Sequence, residues 1–417
     1  MVIEIDQAAR TNFACYALGL IGDGARKSME PIAVRDCVEV HKADAAHPER
    51  RAEAKIPEEI EFKTKPQPAL DMLNKLLIAS SLCIALVGCA SSPKLRGASD
   101  LTTETFMVPS VDPGIELHVR NKHPTGQNSF APERILLMVH GATFPSETGF
   151  DLDLPGGSWM EHVAHAGFDV YFVDVRGYGR STRPAAMSQP PENNPPVADT
   201  REAVRDVSAA VEFILKRRSV SSINLLGWSW GTTTMAGYAA EYPTKVRKLV
   251  LYAPVWLGAP PPPYKGAYRT GTRESIRPFA TRGIPKERIE EISPTEWYDK
   301  WWAANLATDT VGASRNPPVV RAPNGVLKDL GEYWAVGKST YDPAKIQAAT
   351  LLIVGEWDAI TPPAMAQELF KRLTAAGERR LVLLSEGSHL MSVEKNRMHL
   401  IREVQNFLEE PSAEPPR

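Results

Sequence analysis

Residues 223–231 read INLLGWSWG, and residues 232–242 continue as TTTMAGYAAEY. The first part is a short, mostly apolar run that predicts a buried strand, and the second part predicts a helix. Between them, residues 227–231 match the pattern G-x-S-x-G, which presents a serine on a sharp turn when a strand precedes it and a helix follows. Both glycines are needed because a side chain at either position would clash in this strained turn. The context therefore predicts that Ser229 is a nucleophile at the N-terminus of the helix, where the helix dipole favours developing negative charge.

Strand and helix patterns alternate on both sides of this turn. Predicted strands lie at 105–109, 115–119, 135–139, 168–173, 223–226, 246–252, 350–354 and 380–384, and predicted helices lie at 200–216, 232–242, 363–375 and 392–408. This alternation predicts an α/β fold in which helices cover both faces of a mostly parallel sheet. The pattern breaks at about 256–341, which predicts an inserted helical cap within a domain spanning 104–410. The tryptophans of this stretch either line a substrate pocket or form the core of the cap.

Several motifs resemble those of the α/β-hydrolase fold family, in its serine hydrolase or esterase branch. They are the G-x-S-x-G turn, the HGAT segment at 140–143, the DVRGYGRS segment at 174–181, the GEWD segment at 355–358 and the EGSH segment at 386–389. Their chain order, with serine first, an acid next and a histidine last, is the order of that family. The resemblance covers 135–389 and implies an acyl-enzyme mechanism on a small acyl substrate, with no cofactor and no metal.

A serine hydroxyl needs a base that takes its proton before it can attack a carbonyl. In this fold the base comes after the final strand, and His389 stands there. His399 is the later histidine, but it lies inside the last predicted helix. The sequence therefore predicts His389 as the base.

The base needs a carboxylate that holds its tautomer and stabilises the imidazolium. Asp358 opens the loop after the strand that ends at Val354, where the family places its acid. Glu356 competes with it but sits closer to the strand end, and Asp342 is a more remote alternative. We predict Asp358 as the acid.

The family resemblance also implies an oxyanion hole, a pair of backbone N–H groups that bind the negatively charged oxygen of the intermediate. The HGAT segment would supply the N–H of Ala142, with Thr143 as the neighbouring possibility, and the turn would supply the N–H of Trp230. Each such donor is worth about 10²- to 10³-fold in rate. The DVRGYGRS segment is expected to brace the site as a structural loop.

Other functions fit the same scaffold. Trp230 after the nucleophile and the segment at 174–181 also resemble proline iminopeptidases, but the HGGP segment usual there is replaced by HGAT. Dehalogenases and epoxide hydrolases of this fold use an aspartate nucleophile, which disfavours them. A non-catalytic, surface-tethered binding protein is the alternative from a different class, because fold does not fix function.

Composition narrows the classes of function further. The net charge is −2, with 43% hydrophobic and 24% charged residues, so nothing indicates nucleic-acid binding. The cysteines are Cys15, Cys37, Cys83 and Cys89. The large domain therefore has no cysteine for a disulfide, a thiolate metal site or a cysteine nucleophile.

Residues 72–89 read MLNKLLIASSLCIALVGC, which resembles a bacterial lipoprotein signal peptide ending in a lipobox. The resemblance implies lipidation of Cys89, a tether at 90–103, and contact with membrane only through the lipid. Because no aspartate follows Cys89, we expect a location in the cell envelope, on the outer membrane facing the periplasm. A signal of this kind works at a chain start, so we expect Met72 to be the natural start and residues 1–71 to be a non-native or disordered extension.

Overall fold

The computed structural model of the chain describes residues 100–411. The predicted extension at 1–71, the signal segment at 72–89 with Cys89, and residues 90–99 of the tether lie outside the described residues. Within 100–411, no helix combines the length and the apolar character needed to cross a bilayer.

The described part of the chain contains ten strands. They are β1 (Leu101–Pro109), β2 (Glu116–Pro124), β3 (Ile135–Val139), β4 (Asp169–Val173), β5 (Ile223–Trp228), β6 (Val246–Tyr252), β7 (Tyr268–Thr272), β8 (Val319–Pro323), β9 (Ala349–Gly355) and β10 (Arg379–Leu384). Eight of them form one sheet in the order β1-β2-β4-β3-β5-β6-β9-β10. The pairings from β4 to β10 are parallel, and β2 pairs antiparallel with both β1 and β4. The mostly parallel sheet confirms the predicted α/β-hydrolase fold class.

Helices cover both faces of this sheet. They are α1 (Ser146–Phe150), α2 (Trp159–His165), α3 (Thr200–Arg218), α4 (Trp230–Glu241), α5 (Arg273–Ala280), α6 (Ile289–Ile292), α7 (Thr295–Ala307), α8 (Thr310–Ala313), α9 (Gly325–Glu332), α10 (Pro363–Arg372) and α11 (Arg397–Glu409). Alternate residues of β3 pack into two separate cores, with Leu137 facing α3 and α4 and Leu136 facing α2 and α11. Burial on both faces explains why the central strands read as continuous apolar runs.

The insertion between β6 and β9 differs from its prediction in one respect. Besides the helices α5 to α9, it contains β7 and β8, which pair antiparallel as a separate two-stranded sheet. The predicted helical cap is therefore present, with a short two-stranded sheet that the sequence pattern does not indicate. The β-branched residues Val319, Val320 and Thr272 favour an extended backbone here, but each run is too short to stand out from sequence.

The last helix also begins later than its pattern predicts. The apolar spacing indicates a start at 392, whereas α11 begins at Arg397. A short 3-10 turn at Met391–Val393 precedes it, and Glu394 after that turn has extended backbone angles. The break turns the Glu394 side chain back toward Ser388, with which it hydrogen-bonds.

The sheet register brings the predicted site residues to one edge. Gly227 near the end of β5 lies opposite Val139 of β3 and Leu251 of β6. Leu384 at the end of β10 lies opposite Gly355 at the end of β9. Because these strands are parallel, all of their carboxyl ends face the same way, and the loops that follow them meet there.

A buried ion pair braces the loop that follows β4. The Arg176 guanidinium donates to Asp206 on α3, with Nε–Oδ2 2.9 Å and Nη2–Oδ1 2.6 Å, and the Arg176 backbone N–H donates to the same Oδ2 at 2.9 Å. Both side chains are buried. Asp112 adds a second carboxylate at 2.6 Å from Nη2. The loop is thereby fixed to α3, which agrees with the structural role expected from its sequence.

We expect Asp206→Asn to lower the free energy of unfolding by about 2–3 kcal/mol, because the substitution removes the fully buried counter-ion of Arg176 and leaves it the partly exposed carboxylate of Asp112. Denaturant unfolding measures the change. Glu212→Gln is the matched control, since Glu212 pairs with Lys245 at the surface, and we expect it to cost less than about 1 kcal/mol. Equal losses in the two variants would show that the Arg176–Asp206 pair does not brace the fold.

Candidate active site

The turn at Ser229 has a strained backbone. Ser229 has φ 54° and ψ −121°, a region that residues with a side chain rarely adopt. A Cβ at Gly227 would lie 2.2 Å from the Gly231 carbonyl oxygen, and a Cβ at Gly231 would lie 2.5 Å from the His140 carbonyl oxygen. Glycine is therefore required at both ends of the turn, as the sequence pattern predicts. The Ser229 N–H donates to the Tyr252 carbonyl at 2.9 Å, which fixes the turn to β6.

The structure brings the three predicted site residues into one hydrogen-bonded row. Ser229 Oγ lies 2.9 Å from His389 Nε2, and His389 Nδ1 lies 2.8 Å from Asp358 Oδ2. The exposed fraction falls along the row, from 8% for Ser229 to 3% for His389 and 2% for Asp358. Both distances are those of ordinary hydrogen bonds. The catalytic roles of the three residues stay predictions.

The rejected alternatives lie elsewhere. Glu356 accepts the backbone N–H of Glu386 at 3.2 Å, and Asp342 accepts the N–H of Ala344 at 3.0 Å. His399 lies on α11.

The Asp358 carboxylate is stabilised in its charged form. Burial alone would raise the pKa of Asp358, but the charge and hydrogen bond of His389 outweigh it, together with donors from Thr361. Thr361 donates its N–H to Oδ1 at 2.8 Å and its hydroxyl to Oδ2 at 2.9 Å, and the Ile360 N–H adds a bond at 2.9 Å. The net effect holds the pKa of Asp358 below its usual value, so this carboxylate is ionised at neutral pH.

Two aromatic residues fix the backbone of His389. Trp228 Nε1 donates to the His389 carbonyl at 3.1 Å, and the Tyr252 hydroxyl donates to the same oxygen at 3.0 Å. The two rings stack, with centroids 6.0 Å apart and planes 13° from parallel. Neither role is predicted from the sequence. No local pattern connects either residue to a histidine about 140–160 positions away.

The HGAT loop lies against the serine. A Cβ at Gly141 would be 2.8 Å from Ser229 Cβ, so glycine permits the close approach. Ala142 and Trp230 both line the pocket next to Ser229. Within residues 100–411, neither of their backbone N–H groups donates to another protein group. Two free donors beside the serine fit the predicted oxyanion hole.

His140 holds this loop in place. Its Nδ1 contacts the Gly141 carbonyl at 2.7 Å, while Nε2 accepts the Val175 N–H at 3.1 Å. Burial lowers the pKa of His140. The ring is therefore neutral with its proton on Nδ1, and its role is structural rather than that of a base.

A pocket of about 600 Å³ opens above the row. Its walls are largely apolar and come from both the main domain and the insertion; they include Phe144, Ile276, Phe279, Val320, Val326, Leu327, Leu330, Trp334 and Met365. Of the tryptophans in the insertion, Trp334 is buried in the core and also lines the pocket, whereas Trp301 and Trp302 are buried in the core without lining it. Both predicted roles for these tryptophans therefore occur.

Comparison with known proteins now identifies the family. The model of the serine aminopeptidase family S33 matches residues 132–396. The chain belongs to that family. Among curated relatives of this S33 family member, the human serine hydrolase BPHL is 32% identical over 278 residues, which is 66% of this chain and 77% of the human protein. The mouse serine hydrolase BPHL is 24% identical over 336 residues, 78% of this chain and 91% of the mouse protein.

Solved structures agree on the fold of this S33 family member. A serine hydrolase from the polyaromatic-hydrocarbon-degrading bacterium Cycloclasticus zankles aligns with a TM-score of 0.50 and 15% identity, over 74% of this chain and 98% of that one. Esterase E22 aligns with a TM-score of 0.50 and 16% identity, over 74% of this chain and all of the other. The chain is an α/β-hydrolase enzyme of the serine hydrolase class.

In this S33 hydrolase a second buried carboxyl group stands behind the base. Glu394 accepts the Ser388 hydroxyl on one oxygen and the Ser388 N–H on the other at 3.3 Å. Burial raises the pKa of Glu394 to about 7, the Ser388 donors oppose the rise, and the charge of Asp358 adds to it. Sequence reasoning missed this residue because its pattern placed it inside a helix.

We expect the stability of this hydrolase to fall as pH rises from about 4.5 to about 7, because the unfolded chain ionises Glu394 near its ordinary pKa of 4.5 while the folded protein keeps it protonated up to about 7. The loss of stability is about 3 kcal/mol, because the pKa rises from 4.5 to about 7, and it is complete above about pH 7. Unfolding free energies measured at pH 4.5–8 in wild type and in Glu394→Gln test this. The difference between the two curves should change across that window and flatten above it. Parallel curves would show that Glu394 does not titrate there.

Proposed function

We propose that this protein hydrolyses a carboxylic ester of a small molecule, with Ser229 as nucleophile, His389 as base and Asp358 as the acid that orients the base. One observation carries the proposal: the unbroken row from Ser229 Oγ to Asp358 Oδ2, with contacts of 2.9 Å and 2.8 Å, at the base of a largely apolar pocket. A structural role alone would not require a strained serine at the floor of a cavity.

The reaction follows from the positions of the protons. His389 Nε2 takes the proton of Ser229 Oγ as that oxygen attacks the ester carbonyl. When the intermediate collapses, His389 returns the proton to the departing alcohol, and Ser229 keeps the acyl group. Water then attacks the acyl-enzyme and gives its proton to His389. As the bond between Ser229 Oγ and the acyl carbon breaks, His389 returns that proton to Ser229 Oγ, and the acid leaves. Asp358 stays ionised throughout and stabilises the imidazolium.

The N–H groups of Ala142 and Trp230 supply the oxyanion hole in this mechanism. The tetrahedral intermediate carries a full negative charge on the former carbonyl oxygen, and both donors have no competing acceptor in the described part of the chain. Because α4 begins at Trp230, the positive end of its dipole adds to their effect.

The family description raises an aminopeptidase as the second candidate. An aminopeptidase must bind the cationic α-amino group of its substrate, which calls for a carboxylate in the pocket. Among the described residues that line the pocket, none is aspartate or glutamate. This composition favours ester cleavage over removal of an N-terminal residue.

We expect Ser229→Ala to lower kcat on p-nitrophenyl esters by about 10⁴- to 10⁶-fold and to abolish labelling by a fluorophosphonate probe, because the nucleophile is lost. Ser314→Ala is the matched control, since Ser314 is an exposed serine outside the pocket. Activity within about tenfold of wild type would refute Ser229 as nucleophile. Failure of the wild type itself to react with the probe would favour the non-catalytic binding protein.

A panel of p-nitrophenyl esters beside proline-β-naphthylamide separates the two enzyme classes. We expect turnover of the esters and little of the amide. A preference for the amide would show that the protein is an exopeptidase and that the pocket binds the amino group by other means.

We further propose that the protein is exported and anchored by a lipid on Cys89, on the outer membrane facing the periplasm. The support is the sequence at 72–89. We expect mass spectrometry of the native protein to find a diacylated or triacylated N-terminal cysteine at position 89, and Cys89→Ser to move the protein into the soluble fraction of a bacterial host. A native N-terminus at Met1, or equal partition of both forms, would overturn this proposal.

A further inference from the structure

The pocket above Ser229 is positively charged. Within residues 100–411, its lining contains two arginines, Arg269 on β7 and Arg282 after α5, and no acidic side chain. Arg282 is exposed, with its guanidinium 5.9 Å from the Phe279 ring centroid. Arg269 is partly buried and reaches from the insertion to the loop that carries the predicted oxyanion donor.

Arg269 contacts only neutral acceptors among the described residues. Nη2 donates to the Thr143 hydroxyl at 2.6 Å, and Nη1 donates to the Pro323 carbonyl at 2.6 Å with Asn324 Oδ1 at the limit of 3.5 Å. A guanidinium has five N–H donors. Nε and at least one further N–H therefore lack a protein acceptor within residues 100–411.

Two buried arginines of this domain have a carboxylate, whereas the buried Arg397 donates to the Pro155 carbonyl instead. Arg176 pairs with Asp206 at 2.6 Å, and Arg321 on the neighbouring strand β8 pairs with Asp309 at 2.6 Å. Arg269 has no carboxylate partner among the described residues, and it lines the pocket. Burial lowers the pKa of Arg269, and the Tyr178 hydroxyl rather than a carboxylate opposes this within residues 100–411. Burying an arginine without a counter-ion is unfavourable, and a bound anion would remove this penalty.

We propose that Arg269 binds a carboxylate of the substrate, so that the site takes esters that carry a negative charge on one of their two arms. The inference rests on the proposed ester hydrolysis and names its substrate class. The planar guanidinium matches a carboxylate with two parallel hydrogen bonds, which gives orientation as well as affinity. Thr143, which holds the guanidinium, directly follows Ala142. The anion is therefore bound at a fixed place relative to the reacting carbonyl.

Two matched esters test this. Mono-p-nitrophenyl adipate and p-nitrophenyl hexanoate have the same carbon chain and differ by a terminal carboxylate. For Arg269→Gln we expect kcat/KM to fall by about 10- to 100-fold on the adipate and less than about threefold on the hexanoate. Arg269→Lys, which keeps the charge but loses the fork, should restore part of the adipate activity. The pair 4-acetoxybenzoate and 4-methylphenyl acetate repeats the test with the charge on the leaving group.

Arg277→Gln is the control variant. Arg277 is a partly buried arginine of the same insertion. In the described part of the chain its guanidinium hydrogen-bonds only to Ser293, and it does not line the pocket. We expect it to leave the ratio of the two kcat/KM values unchanged. Equal losses on charged and neutral esters in Arg269→Gln, for both ester pairs, would overturn the inference and leave Arg269 as a structural tie between β7 and the Thr143 loop.

Failure of the proposed function gives a different result. If wild type hydrolyses none of the four esters, ester hydrolysis is refuted, and binding then decides the inference by itself. Calorimetric titration with adipate should show binding to wild type that weakens about 10- to 100-fold in Arg269→Gln. Equal affinity of the two proteins, or no binding to wild type, would overturn the carboxylate site.

Discussion

The backbone conformation of Ser229 is the constraint on which the rest of the site depends. A positive φ at a residue with a side chain costs about 1–3 kcal/mol and persists only where the surroundings fix it. Here the Ser229 N–H is bound by the Tyr252 carbonyl at 2.9 Å, and its carbonyl accepts the Thr232 N–H at 2.8 Å. Each bond contributes about 0.5–1.5 kcal/mol. Together with the two glycines, they offset the strain and aim the hydroxyl at the histidine.

The strand β6 connects this turn to the base. Tyr252, its last residue, accepts the Ser229 N–H with its carbonyl and donates with its hydroxyl to the His389 carbonyl. Trp228 on β5 donates to the same oxygen. The nucleophile and the base are therefore positioned by the ends of two adjacent strands. His389 is distant in sequence from both strands. Its position is nevertheless fixed by the rigid ends of these strands rather than by its own loop.

Features that depend on local chemistry could be predicted from the sequence. The two glycines of the turn, the apolar runs of β3 and β5, and the position of His389 after the last strand each have a signal within a few residues. Contacts between distant segments have none. The buried Glu394 interrupts the apolar spacing of a predicted helix, and only its bonds to Ser388 explain why α11 starts later. The sequence contains one signal of this break, which is the acidic Glu394 at a position that the helical spacing predicts to be buried.

The two-stranded sheet of the insertion, which bears on substrate specificity, likewise could not be predicted from the sequence. Arg269 lies opposite Ala322 in the β7–β8 pairing, and Tyr268 lies opposite Pro323, whose carbonyl accepts from Arg269. The pairing joins segments about fifty residues apart, so no short-range pattern predicts either strand. The chemistry of the site is encoded in short motifs of the main domain and can be recognised there. The charge of its pocket arises only when the insertion folds back over the sheet, and for this reason the substrate has to be inferred from the structure.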